Sequence, residues 1–194
     1  MIVVFEGIDG SGKDTQIGLF IKALEAMGKT YSSFKFPSQK ARLALSHLEG
    51  RAAAGPQELF MDFARDIESS TPAVLAAAEK TDFVIIDRYI FSTVAYQGVA
   101  LGFDRALALA GGFSLARPDV VVFLEIAPEL AYSRKNAQKE PDRFESDLAF
   151  QSKVAQAYSL LYAAGYNAGR WTRVDASKSP EKVHEIIIKE VVQE

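Results

Sequence analysis

Short apolar runs alternate with longer stretches of helical periodicity along this chain. Ile2-Val3-Val4-Phe5 is wholly apolar, Phe83-Val84-Ile85-Ile86 is another such run ending in Asp87, and Asp119 to Ile126 carries a third. Thr30 to Phe36 alternates and is stopped by Pro37, and Trp171 to Val174 predicts a last short strand. Helical periodicity covers about Asp14 to Met27 and ends at Gly28, a residue suited to the position just past a helix. Further helices are predicted over about 39–54, from Gln57 to about Ser69, and from Thr71-Pro72 to Lys80, since proline suits a first helical turn. Others follow Asp87, run from Ala127-Pro128-Glu129 to about Asn136, from Glu145 to Ala164, and from Ser179-Pro180-Glu181 onward. Continuous apolar strands separated by helices predict a parallel sheet covered on both faces. The expectation is one α/β domain over 1–194, a three-layer α/β/α sandwich with five parallel strands surrounded by helices. Such sheets hold ligands at the carboxyl ends of the strands, where Gly7, Phe36 and Asp87 fall.

Composition narrows the classes without changing this picture. The 194 residues are 48% hydrophobic and 24% charged, with a net charge of −3 and no long basic block, so nucleic acid is not an expected partner. The absence of cysteine excludes disulfides and thiolate metal sites. No apolar run approaches membrane-spanning length, and Met1-Ile2-Val3 enters the first strand directly, which leaves no room for a signal peptide. The expected location is cytoplasmic.

Gly7-Ile8-Asp9-Gly10-Ser11-Gly12-Lys13-Asp14-Thr15 joins the first strand to the first helix. Gly-x4-Gly-Lys in that context is a phosphate-binding loop (P-loop): glycines let backbone N–H groups turn around a phosphate, and the helix terminus adds unpaired donors. Lys13 supplies a mobile charge for the outer phosphates. A Ser or Thr hydroxyl normally follows the lysine and holds Mg²⁺; here Asp14 stands there, and a carboxylate is also a hard oxygen ligand.

Asp87, at the end of a buried strand, is placed either to hold Mg²⁺ or to cap the next helix, and Arg88 either grips a phosphate or sits in a surface pair. The polar segment with Arg134, Lys135, Lys139 and Asp142-Arg143-Phe144-Glu145 reads as a basic cover over phosphates or as a solvated charged loop. Met61 and Arg65, four apart on one helical face, could cover and read a base, or be a core methionine and a snorkelling arginine. Tyr89, Ser92, Thr93, Tyr96 and Gln97 could read a sugar or base, or serve capping and packing. His47 and His184 have no motif company and receive no catalytic task.

Taken in order, Phe5-Glu6-Gly7-Ile8-Asp9-Gly10-Ser11-Gly12-Lys13, Thr15-Gln16, Phe36-Pro37, the Arg65 helix, Asp87-Arg88-Tyr89, Ala95-Tyr96-Gln97-Gly98, Pro118-Asp119, Asp142-Arg143-Phe144-Glu145 and Val174-Asp175-Ala176 resemble the thymidylate kinase family of nucleoside monophosphate kinases. The resemblance spans nearly the whole chain. It implies transfer of the ATP γ-phosphoryl group to dTMP with Mg²⁺, in a homodimer, with ATP held by residues 7–15. It implies a dTMP site made by Asp9 at the 3′-hydroxyl, Arg88 at the phosphate, Arg65 at the thymine edge, Tyr96 against a 2′-hydroxyl, with Phe36, Pro37, Met61, Thr93, Gln97 and Phe144 around the sugar and base. Asp14 and Asp87 are the candidate metal ligands on their own chemistry. Because Gly10 rather than a basic residue follows Asp9, catalytic arginines are expected from a lid at about 134–146, with Arg134 and Arg143 leading. Three positions depart from the family pattern: Asp14; Met61 in place of a stacking Phe, with Phe60 or Phe63 as substitutes; and Ser38-Gln39 where an arginine is usual, with Lys40 or Arg42 as replacements. The alternatives are another nucleoside monophosphate or deoxynucleoside kinase with looser base selectivity, and a nucleotide-dependent binding switch. The switch would need an Asp-x-x-Gly after a strand, and the only one lies inside the P-loop itself.

Overall fold

The computed structural model describes residues 1–136 and 148–192. Five strands, β1 (Ile2–Glu6), β2 (Tyr31–Lys35), β3 (Phe83–Asp87), β4 (Val120–Glu125) and β5 (Arg170–Asp175), form one parallel sheet in the order β2-β3-β1-β4-β5. Between them run α1 (Lys13–Ala26), α2 (Arg42–Leu48), α3 (Pro56–Lys80), α4 (Ile90–Leu101), α5 (Phe103–Ala110), α6 (Pro128–Asn136), α7 (Leu148–Ala163) and α8 (Pro180–Val192).

The two faces of the sheet can be told apart from β1 alone. Side chains alternate along a strand, so Phe5 and Glu6 point opposite ways. Phe5 meets Phe20 of α1 edge-on at 5.5 Å, and α1 packs beside α8. Glu6 pairs in register with Phe123, and both meet Tyr158 of α7. The α3, α4 and α7 helices pack together on that second face. Both faces are therefore covered, which is why β1, β3 and most of β4 are buried, with apolar residues everywhere except the terminal Glu6 and Asp87 of β1 and β3. No described helix is long and apolar enough to cross a membrane.

The elements differ from expectation in three places. The helices predicted on either side of Thr71-Pro72 are one 25-residue helix, α3. Its buried positions stay in phase across the proline, from Ile67 and Ser70 to Val74, while Pro72 itself faces solvent. Proline leaves the Glu68 carbonyl without its helical donor; in the same turn the hydroxyls of Ser70 and Thr71 donate to the neighbouring carbonyls of Asp66 and Ile67 at 3.0 and 3.3 Å. The helix predicted over 39–54 is only α2, because Gly50 takes φ 73° and Arg51 N–H closes the end on Ser46 O at 2.8 Å. The third difference is α5, which the pattern did not predict. The predicted start of the helix from Glu145 lies outside the described residues.

Candidate active site

β1 delivers its last residue, Glu6, to the sheet's carboxyl edge, and the P-loop turns there at Gly7. A Cβ on Gly7 would lie 2.6 Å from Leu124 O, and one on Gly10 would press into the backbone of Ala131, 2.9 Å from its carbonyl carbon. Both positions have φ in the left-handed range, so only glycine fits. Gly12 precedes α1 with no side-chain cap, which leaves the first N–H groups of the helix directed at the loop. Lys13 folds back, donating to Gly7 O at 2.9 Å and Ile8 O at 3.1 Å. Burial, and the nearby Arg88 guanidinium, lower its pKa to about 8. Ser11 Oγ is buried without a hydrogen-bond partner among the described residues.

Around this loop lies a cavity of about 620 Å³ reached by Asp9 through Gln16, Lys35, Asp87, Arg88 and Arg134. Asp87 ends β3 beside the loop; its Oδ1 is buried and has no hydrogen-bond partner among the described residues. Asp14 and Asp87 are both joined to Lys35, at 3.2 and 2.6 Å. These residues fit the Mg²⁺ that the fold implies: an orphaned buried carboxylate oxygen and a second, exposed carboxylate at one cation's reach are hard donors for it. Among the described residues no cluster of three or more His, Cys, Asp or Glu could hold a metal alone, so phosphate oxygens and water would complete the shell. Arg134 reaches this cavity from α6, with its guanidinium donating to Ala176 O at 2.7 Å and Ser177 O at 3.2 Å. Arg143, Phe144 and Lys139 lie outside the described residues.

A second cavity, of about 350 Å³, is mostly apolar and holds Phe36, Pro37, Leu59, Phe63, Ile67, Thr93, Tyr96, Gln97 and Phe150. Asp9 and Arg88 line both cavities and form the wall between them. Arg88 donates to Asp9 Oδ1 and to Ser92 Oγ (3.3 Å), and its guanidinium lies 5.4 Å over the Tyr96 ring. Burial pulls the Arg88 pKa down, but Asp9 and its neighbours hold it well above the usual value, so the guanidinium stays charged. Asp9 N–H donates to the Tyr96 hydroxyl at 3.2 Å.

The structure does not bring Met61 or Arg65 to this cavity. Leu59, Phe63 and Ile67 share the face of α3 that lines it, and residues two positions away on a helix lie roughly opposite. Met61 instead packs on the main core, and Arg65 is exposed. Of the substitutes named for Met61, Phe63 reaches the cavity and Phe60 is core. Neither Lys40 nor Arg42 lines either cavity; Lys40 reaches Ser69 and Ser70 instead.

Sequence reasoning assigned no role to Glu6. Its carboxylate, fully buried, accepts from Tyr89 N–H (2.7 Å), Ser92 N–H (3.2 Å), Ser92 Oγ (2.6 Å) and Tyr158 OH (2.8 Å). It therefore caps the start of α4 from another strand and fixes the residues that flank Arg88. Burial raises its pKa, and the hydrogen bonds and Arg88 counter only part of that. The available signal was an acid ending an apolar run, the pattern that exposed Asp87. Lys35, likewise unassigned, ends β2 one residue before Phe36.

A family model described as thymidylate kinase matches residues 5–187 of this chain. A thymidylate kinase of Synechococcus sp. is 35% identical over 205 residues, covering 94% of this chain and 91% of the relative. Another, from Chlorobium limicola, is 35% identical over 208 residues, covering 97% and 93%. The thymidylate kinase of Danio rerio is 28% identical over 190 residues, covering 96% and 87%. With the P-loop, the paired cavities and the Asp9–Arg88 wall in one continuous match, the chain belongs to the thymidylate kinase family.

Proposed function

We propose that this chain transfers the γ-phosphoryl group of ATP to dTMP, giving dTDP and ADP. The observation that carries the reading is that a phosphate cavity and an apolar cavity meet at one shared pair, Asp9 and Arg88. Phosphoryl transfer needs in-line alignment and positive charge rather than a protein nucleophile. A phosphate oxygen of dTMP attacks, the new O–Pγ bond forms, and the bond from Pγ to the bridging oxygen of ADP breaks. Lys13 turns from its carbonyl partners to the outer phosphates of ATP, and the P-loop N–H groups at residues 7–15 hold the rest. Arg88 holds the acceptor phosphate at the wall between the cavities. Arg134 adds charge from the donor side, and the resemblance adds Arg143 and Phe144 from the segment after α6. Asp87 and Asp14 would hold Mg²⁺, which would supply positive charge to the nucleotide phosphates.

On the acceptor side, Phe36, Pro37, Phe63 and Phe150 enclose the thymine and sugar, with Thr93 and Gln97 as polar contacts. Tyr96 crowds the 2′ position, and Asp9 meets the 3′-hydroxyl. The proposal includes a homodimer, which sedimentation equilibrium tests. The activity is tested by coupled ADP release with ATP and Mg²⁺ against dTMP, dUMP, UMP, dCMP, AMP, GMP and thymidine. Strong preference for dTMP is expected. Comparable turnover of several monophosphates would show that the apolar wall does not select thymine, and no turnover of any would overturn the reading.

A further inference from the structure

Lys35 stands between two carboxylates. Its Nζ lies 2.6 Å from Asp87 Oδ2 and 3.2 Å from Asp14 Oδ1, inside the cavity of the P-loop. The two acids differ sharply in setting: the Asp87 side chain is 8% exposed and that of Asp14 is 86% exposed. Asp87 keeps one buried oxygen without a partner even with the ammonium bound to the other. A single cation thus already bridges the two groups read as metal ligands, and the Lys35 side chain, 64% exposed, can leave without unpacking the core. Its flexible stem ends in a compact, mobile charge. Leaving the carboxylates need not take it out of the cavity, because the same cavity is lined by the P-loop residues 10–16.

Charge explains why such a device belongs with Asp14. The usual hydroxyl is neutral, whereas Asp14 adds a negative charge beside Asp87 and beside the position of the nucleotide phosphates. Two carboxylates sharing a site repel each other unless a cation intervenes. A hydrated divalent ion and the Lys35 ammonium compete for the same oxygens. Nucleotide phosphates change that competition, since they offer the ammonium new acceptors and the ion new ligands together.

We propose that Lys35 is an internal counter-cation that occupies the Asp14–Asp87 pair until nucleotide phosphates draw it away, so that divalent metal is taken up with nucleotide rather than ahead of it. The inference rests on Asp14 and Asp87 being the metal ligands. It makes Lys35 a positioning residue that acts on the metal site, and it couples the two binding events with one sign: each favours the other.

The test uses Mn²⁺ as a paramagnetic probe on the full chain. Free and bound ion are measured by electron paramagnetic resonance without nucleotide and with ADP, for wild type, K35M, D14S, K35M/D14S and D87N. Without nucleotide, K35M is expected to bind Mn²⁺ about five- to tenfold more tightly, a modest gain because Asp14 is solvated. K35M is expected to tighten Mn²⁺ in the D14S background too, since Lys35 still pairs with Asp87 there. The factor by which ADP tightens Mn²⁺ is expected to shrink in K35M by a similar amount. A K35M affinity within twofold of wild type, with D87N weakened, would overturn the role of Lys35 and leave the metal ligands standing. Unchanged Mn²⁺ affinity with ADP in both D14S and D87N would overturn the ligand reading itself, and the inference with it.

Discussion

At Arg88 the backbone takes φ 63°, a conformation that costs a non-glycine residue roughly 1 kcal/mol. It is held there by Arg88 N–H on Phe5 O at 3.1 Å and by the guanidinium contacts to Asp9 and Ser92. Arg88→Ala is expected to lower kcat/KM for dTMP about a thousandfold, within the range for truncating a buried charged partner. Steady-state kinetics with each substrate varied would show it, and a loss under tenfold would remove Arg88 from the acceptor phosphate. Tyr96→Phe is expected to keep turnover, while Tyr96→Ala relaxes exclusion of a 2′-hydroxyl; an unaltered ratio between deoxy- and ribo-acceptors would count against that. Glu6 gives a pH prediction. Its folded pKa is raised, so the folded state binds the proton more tightly than the unfolded chain. Its carboxyl therefore favours folding most at low pH, and that contribution is lost as pH rises from the ordinary carboxylate range through the raised value. Urea midpoints of wild type and Glu6→Gln should converge or cross in favour of the variant as pH rises through that window; a constant difference would exclude it. Asp9, Asp87 and Arg88 were legible because a strand end and the P-loop announce them, and Tyr96, inside α4, only through the family resemblance. Glu6 and Lys35 were not, since the role of Glu6 depends on Tyr158, 152 positions away, and that of Lys35 on carboxylates from two other elements.

Among the elements, α3 misled the sequence most. Proline reads as a start signal, yet here it lies on the exposed side of a helix whose apolar face continues beyond it. Pro72→Ala restores a helical N–H and should raise stability by about 1–3 kcal/mol, read from denaturant midpoints at unchanged slope. No gain would mean that water already satisfies the Glu68 carbonyl that the proline leaves without its helical donor. The same helix shows why Met61 and Arg65 were misplaced relative to the cavity: spacing of four says that two residues share a face, but not which face the rest of the fold will use. α5 escaped notice for a different reason. Phe103, Ala106, Leu107 and Ala110 do have helical spacing, but the helix is only eight residues long and follows α4 across the single Gly102, so it reads as part of the preceding segment. The P-loop was the opposite case, since glycine spacing reports backbone geometry directly. Gly10→Ala is expected to abolish ATP binding through its contact with the Ala131 backbone, and calorimetric titration would show retained affinity if the loop can shift instead.

For the molecule as a whole, the number, type and parallel direction of the strands followed from apolar runs separated by helices. Their order did not, because a crossover may return a strand to either side of its predecessor. The order found puts β1 at the centre, between β3 and β4, and sets the P-loop where the winding of the sheet reverses. That central position has a consequence for how the chain is made. Among the described residues β1 pairs with Phe83–Asp87 and Val120–Glu125, while β2, which follows it, pairs with β3. During synthesis at roughly 5–20 residues per second, Ile2–Phe5 must wait several seconds for either neighbour to exist. Throughout that interval both edges of Ile2–Phe5 lack their strand partners, and α1, which sets Phe20 on Phe5, is the first element able to cover one face of the strand.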